Sequence, residues 1–413
     1  MLEFKILLHK AANMNANIDK IFKIGLNPLR IIIGLMSGTS VDGLDVALCK
    51  CEGSGISTQI EILHFETVAY DDDYRQQIKS VFSKREVDLQ QVCLLNEWVA
   101  LQHAAIINKC LQKWQTDPAS VDIIASHGQT IYHAPKHLHG LQKFSNGTLQ
   151  IGDGDHLAVA TGIITLSDFR QKHIAAGGEG APLAVYGDYL IFSKKEENRI
   201  MLNIGGIANF SFLPGNLDGS KVFSTDTGTG NTLMDAYVQQ NFSGQYFDEQ
   251  SKIAGTGMVN DALLKTLKQN DFFDAAFPKT TGPELFNLDY LAKAKSAAGV
   301  TTISHGDVMA TLNRFSAETL VSAIKQCTQG LSDIVVYTSG GGMHNPLLMK
   351  NISEQLPGYT FKTTDSLGIN PDAKEAVLFA VLANEAIAGG KTPIGNGSGQ
   401  IPYVSMGKIS FPN

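Results

Sequence analysis

The chain lacks most of the features that mark secreted, membrane or nucleic-acid-binding proteins. Its five cysteines, Cys49, Cys51, Cys93, Cys110 and Cys327, are odd in number and form no C-x-x-C pair. Neither a disulfide framework nor a zinc site is built on such spacing, so free thiols in a reducing compartment are expected. No apolar run reaches the roughly 20 residues that cross a bilayer. The apolar pieces of residues 1–29 are broken by Lys10, Lys20 and Lys23, which leaves no signal-peptide core. Long Lys/Arg runs are missing too, and the formal net charge is −7. That balance argues against nucleic acid as a partner, and the missing span argues against a membrane. A soluble, cytoplasmic protein is expected, with residues 1–29 as an extension of unassigned role or with Met14 as the true start.

What the chain does have is the size and apolar content of a large globular protein: 413 residues, 43% hydrophobic and 18% charged. Strand-like and helix-like stretches alternate throughout, which predicts an α/β fold. Strands are predicted near 30–35, 45–50, 61–69, 122–125, 147–150, 163–167, 199–203, 208–213, 222–225 and 333–338. Helices are predicted near 72–82, 89–114, 182–192, 230–240, 261–269, 305–329, 346–355 and 372–388, the stretch 89–114 as one helix or two. An internal repeat is also visible. IIIGLMSGTSVDGLDVAL (31–48) and MLNIGGIANFSFL (201–213) share a strand, glycine turn, strand grammar. Each is followed by a strand ending in small residues, DIIASHGQTIYH (122–133) and DIVVYTSGGGMHNP (333–346). Two copies of one α/β unit are therefore expected, with residues 30–196 as a first lobe and 197–413 as a second. The last helix is expected to return to the first lobe, and a cleft to lie between the lobes.

Three glycine turns carry the chemistry. Ser37, Gly38, Thr39 and Ser40 offer several hydrogen-bond donors in four residues, and glycine lets backbone N–H groups approach an anion. Asp42 repels phosphate directly but suits it through Mg2+. The same stretch also reads as a hairpin bend set by Asp42-Gly43. STDTGTGNTLMDAY (224–237) feeds a strand through glycines into a helix start, a good anion site. There Asp226 and Thr229 serve either a ligand or the helix cap. TSGGGMHNP (338–346) leaves no side chain to obstruct a flat ring, or is simply a tight connection.

Better-known nucleotide signatures fail. GGKT (389–392) lacks the first P-loop glycine, and Gly152, Gly228 and Gly340 do not open a dinucleotide fingerprint. No G-x-S-x-G elbow or protein-kinase set occurs. Six of the eleven histidines fall between His127 and His173, but Pro135 and Gly140 interrupt H-x-x-x-H-x-H and disfavour zinc. Dispersed glycine turns in a two-copy α/β chain resemble the sugar kinase, heat-shock chaperone and actin superfamily, with ribonuclease H-like lobes. From about Arg30 onward, GLMSGTSVDGLDVAL, SHGQTIYH, LQIGDGDHLA, SDFRQKHIAAGGEGAPL, LNIGGIANF, DTGTGN, SGGGMHNP and PDAKEAVLFAVLA together resemble the anhydro-N-acetylmuramic acid kinase family.

The resemblance implies a kinase that uses ATP and Mg2+ on a 1,6-anhydro amino sugar, opens the bridge with water and leaves a 6-phosphate, in the recycling of peptidoglycan. It implies Asp168 as the base that deprotonates water for attack at C1, as in inverting glycosidases; without it, Asp168 and Arg170 read as a structural pair. It implies nucleotide contacts at Gly38, Thr39, Ser40, Val41, Asp42, Gly43 and Asp45, at Asn203, Gly205 and Gly206, at Gly228 and Thr229, and at Gly340, Gly341, Gly342 and Asn345. Asp42 and Asp226 are implied as metal ligands. His127, Gln129, Thr130, Arg170 and Glu375 are candidate sugar contacts, the first three equally readable as packing and Glu375 as a favourable helix-start charge. A homodimer is implied. Two other classes remain open at this point: a sugar kinase without ring opening, and a non-enzymatic actin-like ATP-binding protein.

Overall fold

In the computed structural model, which describes residues 15–300, 302–390, 393–395 and 401–413, the apolar run before the first glycine turn forms strand β1 (Leu29–Ser37). Met14, and Lys391 and Thr392 of the GGKT stretch, lie outside the described residues. β1 turns into antiparallel β2 (Gly43–Glu52), and β2 into antiparallel β3 (Gln59–Ala69). The chain crosses over through helices Asp72–Val81 and Leu89–Lys113 and returns parallel to β1 as β4 (Ile123–Ala134). A helical crossover is what a parallel pair requires. β5 (Gly147–Ile151) pairs antiparallel with the far half of β4, and β6 (Thr165–Ser167) parallel with its near half. A C-terminal strand, Lys408–Ser410, closes that edge antiparallel to β6.

Leu89–Lys113 is one helix, because no Gly or Pro interrupts it. Asp88 caps it by accepting from Gln90 N at 2.8 Å. Leu95, Val99, His103, Ala104, Ile107 and Leu111 form its buried face. Leu95, Val99, Ala104, Ile107 and Leu111 share one cluster with Ile33, Leu35, Leu44, Val46, Leu48 and Ile124 of the sheet.

The second sheet repeats this grammar. β7 (Asn198–Ile204), β8 (Ile207–Leu213) and β9 (Phe223–Thr229) form an antiparallel meander. β10 (Ile334–Ser339) then pairs parallel with β7, and β11 (Thr360–Thr363) parallel with β10. The order β11-β10-β7-β8-β9 corresponds to β6-β4-β1-β2-β3 of the first sheet. Helix His305–Cys327 is largely buried, with Leu312, Phe315, Leu320 and Ile324 in one cluster with Ile200, Leu202, Phe210 and Val336 of this sheet.

The chain divides into two compact units, one running to Phe192 and resuming at Asp372, the other spanning Ser193–Pro371. The C-terminal stretch thus groups with the first unit. Its helix Lys374–Ala388 packs on β1, β2 and β4, close enough that a Cβ at Gly34 would stand 1.9 Å from the Ala376 carbonyl oxygen. The segment before Arg30 is partly built into the same unit. Ala16–Leu26 is a helix with Ile24 buried, and Asn17 Nδ2 donates to the Asn413 carbonyl at 2.7 Å. The helices Gly154–Thr161, Phe169–Ala175 and Leu288–Ala297, and the strands β11 and Lys408–Ser410, were not expected from the sequence.

Candidate active site

The first glycine turn joins β1 to β2. Gly38 O accepts from Val41 N at 3.3 Å, and Ser40 Oγ donates to Asp42 Oδ1 at 2.8 Å. Val41 takes φ +56°, a left-handed conformation rare for a β-branched residue. Strain of this kind persists only where the surroundings impose it, and it gathers at ligand sites. Gly43 admits no side chain, since a Cβ there would stand 2.8 Å from the Val68 carbonyl oxygen. Thr39 sits within the turn, and Asp45 accepts from Thr67 Oγ1 at 2.6 Å. Burial pushes the Asp45 carboxyl up from its ordinary value, and nearby Asp42 and Asp372 add to the shift.

Gln129 fixes this turn from β4. Its Oε1 accepts from Ser37 Oγ at 2.6 Å, and its Nε2 donates to Gly38 O at 3.2 Å. Ser37 in turn accepts from Tyr70 Oη at 2.8 Å, which lies 2.9 Å from His103 Nε2. His103 is fully buried, which drives its pKa down to about 4. Gln129 is therefore spent on holding the turn.

His127 is engaged at both ring nitrogens. Nδ1 lies 2.8 Å from Gly128 O, which can only accept, so Nδ1 carries the proton. Nε2 accepts from Arg170 Nε at 2.8 Å. Burial first, and the Arg170 charge second, lower the His127 pKa to about 3. Arg170 also donates to Gly180 O at 2.7 Å. The Glu375 side chain, although it presents surface to solvent, is raised from the usual carboxylate value by the atoms packed around its carboxyl, with Arg170 opposing. Thr130 Oγ1 accepts from Gln150 Nε2 at 3.1 Å.

Asp168 follows β6 and occupies the cap position of helix Phe169–Ala175 with φ +58°. A capping aspartate ordinarily accepts from a first-turn N–H. Asp168 makes no such bond. Its Oδ2 takes a hydrogen bond from Lys408 Nζ at 2.7 Å, and Oδ1 has no partner among the described residues. Asp168 lines a pocket of about 640 Å³ together with Ser126, His127, Gln150, Asp153, Gln171 and Lys408. Ser126 Oγ and Gln150 Oε1 are buried there without a hydrogen-bond partner among the described residues. Buried polar atoms are rarely left unpaired without a functional reason.

The second unit holds the other glycine turns. Gly205 and Gly206, just past Asn203 at the end of β7, receive the N–H groups of Asn231, Gly230 and Thr232 through their carbonyls. Gly340, at φ +83°, lies against β7: a Cβ would stand 2.7 Å from the Ile204 carbonyl oxygen and 2.6 Å from Asn203 Oδ1. Gly341 is open by the same measure, while a Cβ at Gly342 would clash with Ile204. Gly228 has φ +127° and abuts Phe273. Thr229 Oγ1 accepts from Leu233 N at 3.4 Å, the capping alternative raised by the sequence. Asn345 likewise caps helix Pro346–Gln355 at Leu348 N, 2.9 Å, and also accepts from Ser251 Oγ and Asn313 Nδ2. Asp226 Oδ2 accepts from Thr281 N at 2.8 Å, and burial raises its carboxyl pKa to about 6. Beside it, Thr281 Oγ1 is buried without a partner among the described residues.

Within the first unit the structure thus brings Gln129 to the glycine turn, and Arg170 to His127 and Glu375. Within the second it brings Asn203, Gly205, Gly206, Gly340 and Gly342 together. Asp168 pairs with Lys408 rather than with Arg170, which overturns the pair suggested by their closeness in sequence: Arg170 points to His127 instead. Sequence reasoning missed Ser126, Gln150, Gln171 and Lys408. The first three lie inside the motifs given above, and Ser126 and Gln150 stand out there as polar residues on apolar strands. No local signal marks Lys408, which register with β6 alone carries to Asp168.

Among known proteins, the family model described as anhydro-N-acetylmuramic acid kinase matches residues 30–412. A Pseudoalteromonas atlantica protein of that name is 58% identical over 97% of this chain and 100% of its own. One from Caldanaerobacter subterraneus subsp. tengcongensis is 36% identical over 95% of this chain and 100% of its own. A solved structure, the activator of the 2-hydroxyisocaproyl-CoA dehydratase from Clostridium difficile with bound ADPNP, overlays with a TM-score of 0.39 at 11% identity. It covers 86% of this chain and 95% of that one, a likeness too slight to carry an argument. Near-full-length identity of the first kind decides the matter: the chain belongs to the anhydro-N-acetylmuramic acid kinase family.

Proposed function

We propose that this kinase phosphorylates O6 of 1,6-anhydro-N-acetylmuramic acid from ATP while water opens the anhydro bridge, yielding N-acetylmuramic acid 6-phosphate for cell-wall recycling. The observation that carries this reading is the Oδ1 of Asp168, which has no partner among the described residues, on a cap-position carboxylate that leaves its helix uncapped and lines a pocket. Asp168 Oδ1 takes a proton from water as the water oxygen bonds to C1. The C1–O6 bond breaks, and O6 bonds to the γ-phosphorus as ADP leaves. Phosphoryl transfer traps the departing oxygen, so a second catalytic acid is unnecessary.

The glycine turns at 38–43, 205–206, 228–229 and 340–342 are assigned to the nucleotide, with Asn203, Asp45 and Asn345 shaping them. His127, Gln129 and Arg170 order the first unit's site, and Thr130 and Glu375 are assigned to the sugar. Asp42 and Asp226 are each assigned to Mg2+, which when bound would neutralise phosphate charge. Asp226 suits that task, being a buried carboxylate beside an unpartnered Thr281 hydroxyl. Free cysteines, three of them buried, support a cytoplasmic location. Light scattering tests the homodimer that the family resemblance implies.

The test of the reaction is turnover in 18O-water. Label at C1 of the product is expected. Product phosphorylated without label would favour a kinase that leaves the ring intact, and ATP turnover indifferent to sugar would remove the enzyme reading altogether.

A further inference from the structure

The pocket that holds Asp168 is acidic. Asp153, Asp155 and Asp168 line it, and Lys408 is the one Lys or Arg among its lining residues. His127 adds no charge, because both its nitrogens are committed and its pKa lies near 3. The substrate proposed above is itself an anion: muramic acid carries a lactyl ether at O3 that ends in a carboxylate. Among the lining residues such a sugar meets three carboxylates that repel it and a single ammonium that attracts it, the Arg170 guanidinium being bonded to His127 and Gly180. Lys408 Nζ has three N–H donors, of which Asp168 Oδ2 takes one at 2.7 Å. The other two have no acceptor among the described residues. The Lys408 side chain is 63% exposed, so nothing need be displaced to reach it. Its backbone is fixed by the ladder that sets Lys408 opposite Ser167.

We infer that Lys408 binds the lactyl carboxylate and makes the pocket selective for an anionic anhydro sugar over its neutral counterpart. The ammonium then bridges two carboxylates, the protein's base and the substrate's substituent. It serves as a specificity residue, and the inference rests on the kinase reading given above.

The test compares two sugars that share a ring, 1,6-anhydro-N-acetylmuramic acid and 1,6-anhydro-N-acetylglucosamine, which lacks the lactyl ether. For wild type, Lys408→Met and Lys408→Arg, kcat/KM is measured on each, or Kd by calorimetry where turnover is slow. Wild type should prefer the acid. Lys408→Met should cut that preference by up to about fivefold, through KM, which is the upper end for a solvent-exposed ion pair. Lys408→Arg should retain it. The ratio is insensitive to a misplaced Asp168, which would slow both sugars alike. A ratio unchanged in Lys408→Met, or a wild type without preference for the acid, would overturn the assignment. A wild type that binds neither anhydro sugar would overturn the kinase reading and this assignment with it.

Discussion

Arg170 Nε donates to His127 Nε2 across 2.8 Å, which requires that nitrogen to be unprotonated. The pKa of His127, near 3 when folded, lies well below the ordinary value of 6.5. The unfolded chain therefore takes up this proton first. The stability tied to neutral His127 is complete above about pH 6.5 and is lost as pH falls toward 3. Against wild type, His127→Gln should be less stable at pH 7, and the gap in thermal midpoint should narrow steadily below pH 6.5. Arg170→Ala should cost about 1–3 kcal/mol, because it strips a donor from a buried acceptor. Calorimetry across pH checks both.

Asp168→Asn should lower kcat by about 100-fold or more, the usual contribution of a general base. The amide still accepts from Lys408, so the thermal midpoint should stay close to wild type. Near-normal turnover in a folded Asp168→Asn protein would remove the residue from the reaction.

Asp226 tests the pH logic in the opposite direction. Its folded pKa of about 6 lies above the ordinary 3.8, so the native state holds this proton more tightly than the unfolded one. Stability then falls as pH rises through this interval and stays reduced above it. Asp226→Asn should stabilise the nucleotide-free protein by about 1–3 kcal/mol at pH 7 and by little at pH 4. It should also impair turnover. Equal midpoints at pH 7 would show that the carboxylate carries no such penalty.

Two glycines facing the last helix should respond differently to alanine. At Gly34 the new Cβ would meet the Ala376 backbone at 1.9 Å, which cannot yield without moving the helix. A loss of about 3 kcal/mol or more is expected, as for severe overpacking. At Gly187 the obstacle is the Leu378 Cδ1 methyl at 2.5 Å, the end of a rotatable side chain. Gly187→Ala should cost clearly less. Denaturant titration separates the two.

The repeated strands were legible in the sequence because β1, β2, β4, β7, β8 and β10 are apolar runs bounded by glycine turns, and each signal is local. β11 (TFKT) and Lys408–Ser410 were not, since their short strands alternate polar and apolar residues and take their meaning from a neighbour. The glycine turns could be named from composition. The roles of Gln129 and Asn345, and the choice between ligand and cap for Thr229, could not: each is a polar residue whose bonds go to the chain itself, and only coordinates reveal which atoms remain available. Lys408 is the extreme case, a lone cation brought beside Asp168 across 240 residues of sequence.

The division of the chain bears on how it is made. Ser193–Pro371 is contiguous, so its whole sequence is available once it has left the ribosome. The other unit's is not, for its central strand β1 faces a helix that is translated only after the whole insert. Through that interval the glycine-lined seat at Gly34 stands open to water and to other nascent chains. Assistance from a holdase should therefore be needed longest by the half of the protein synthesised first.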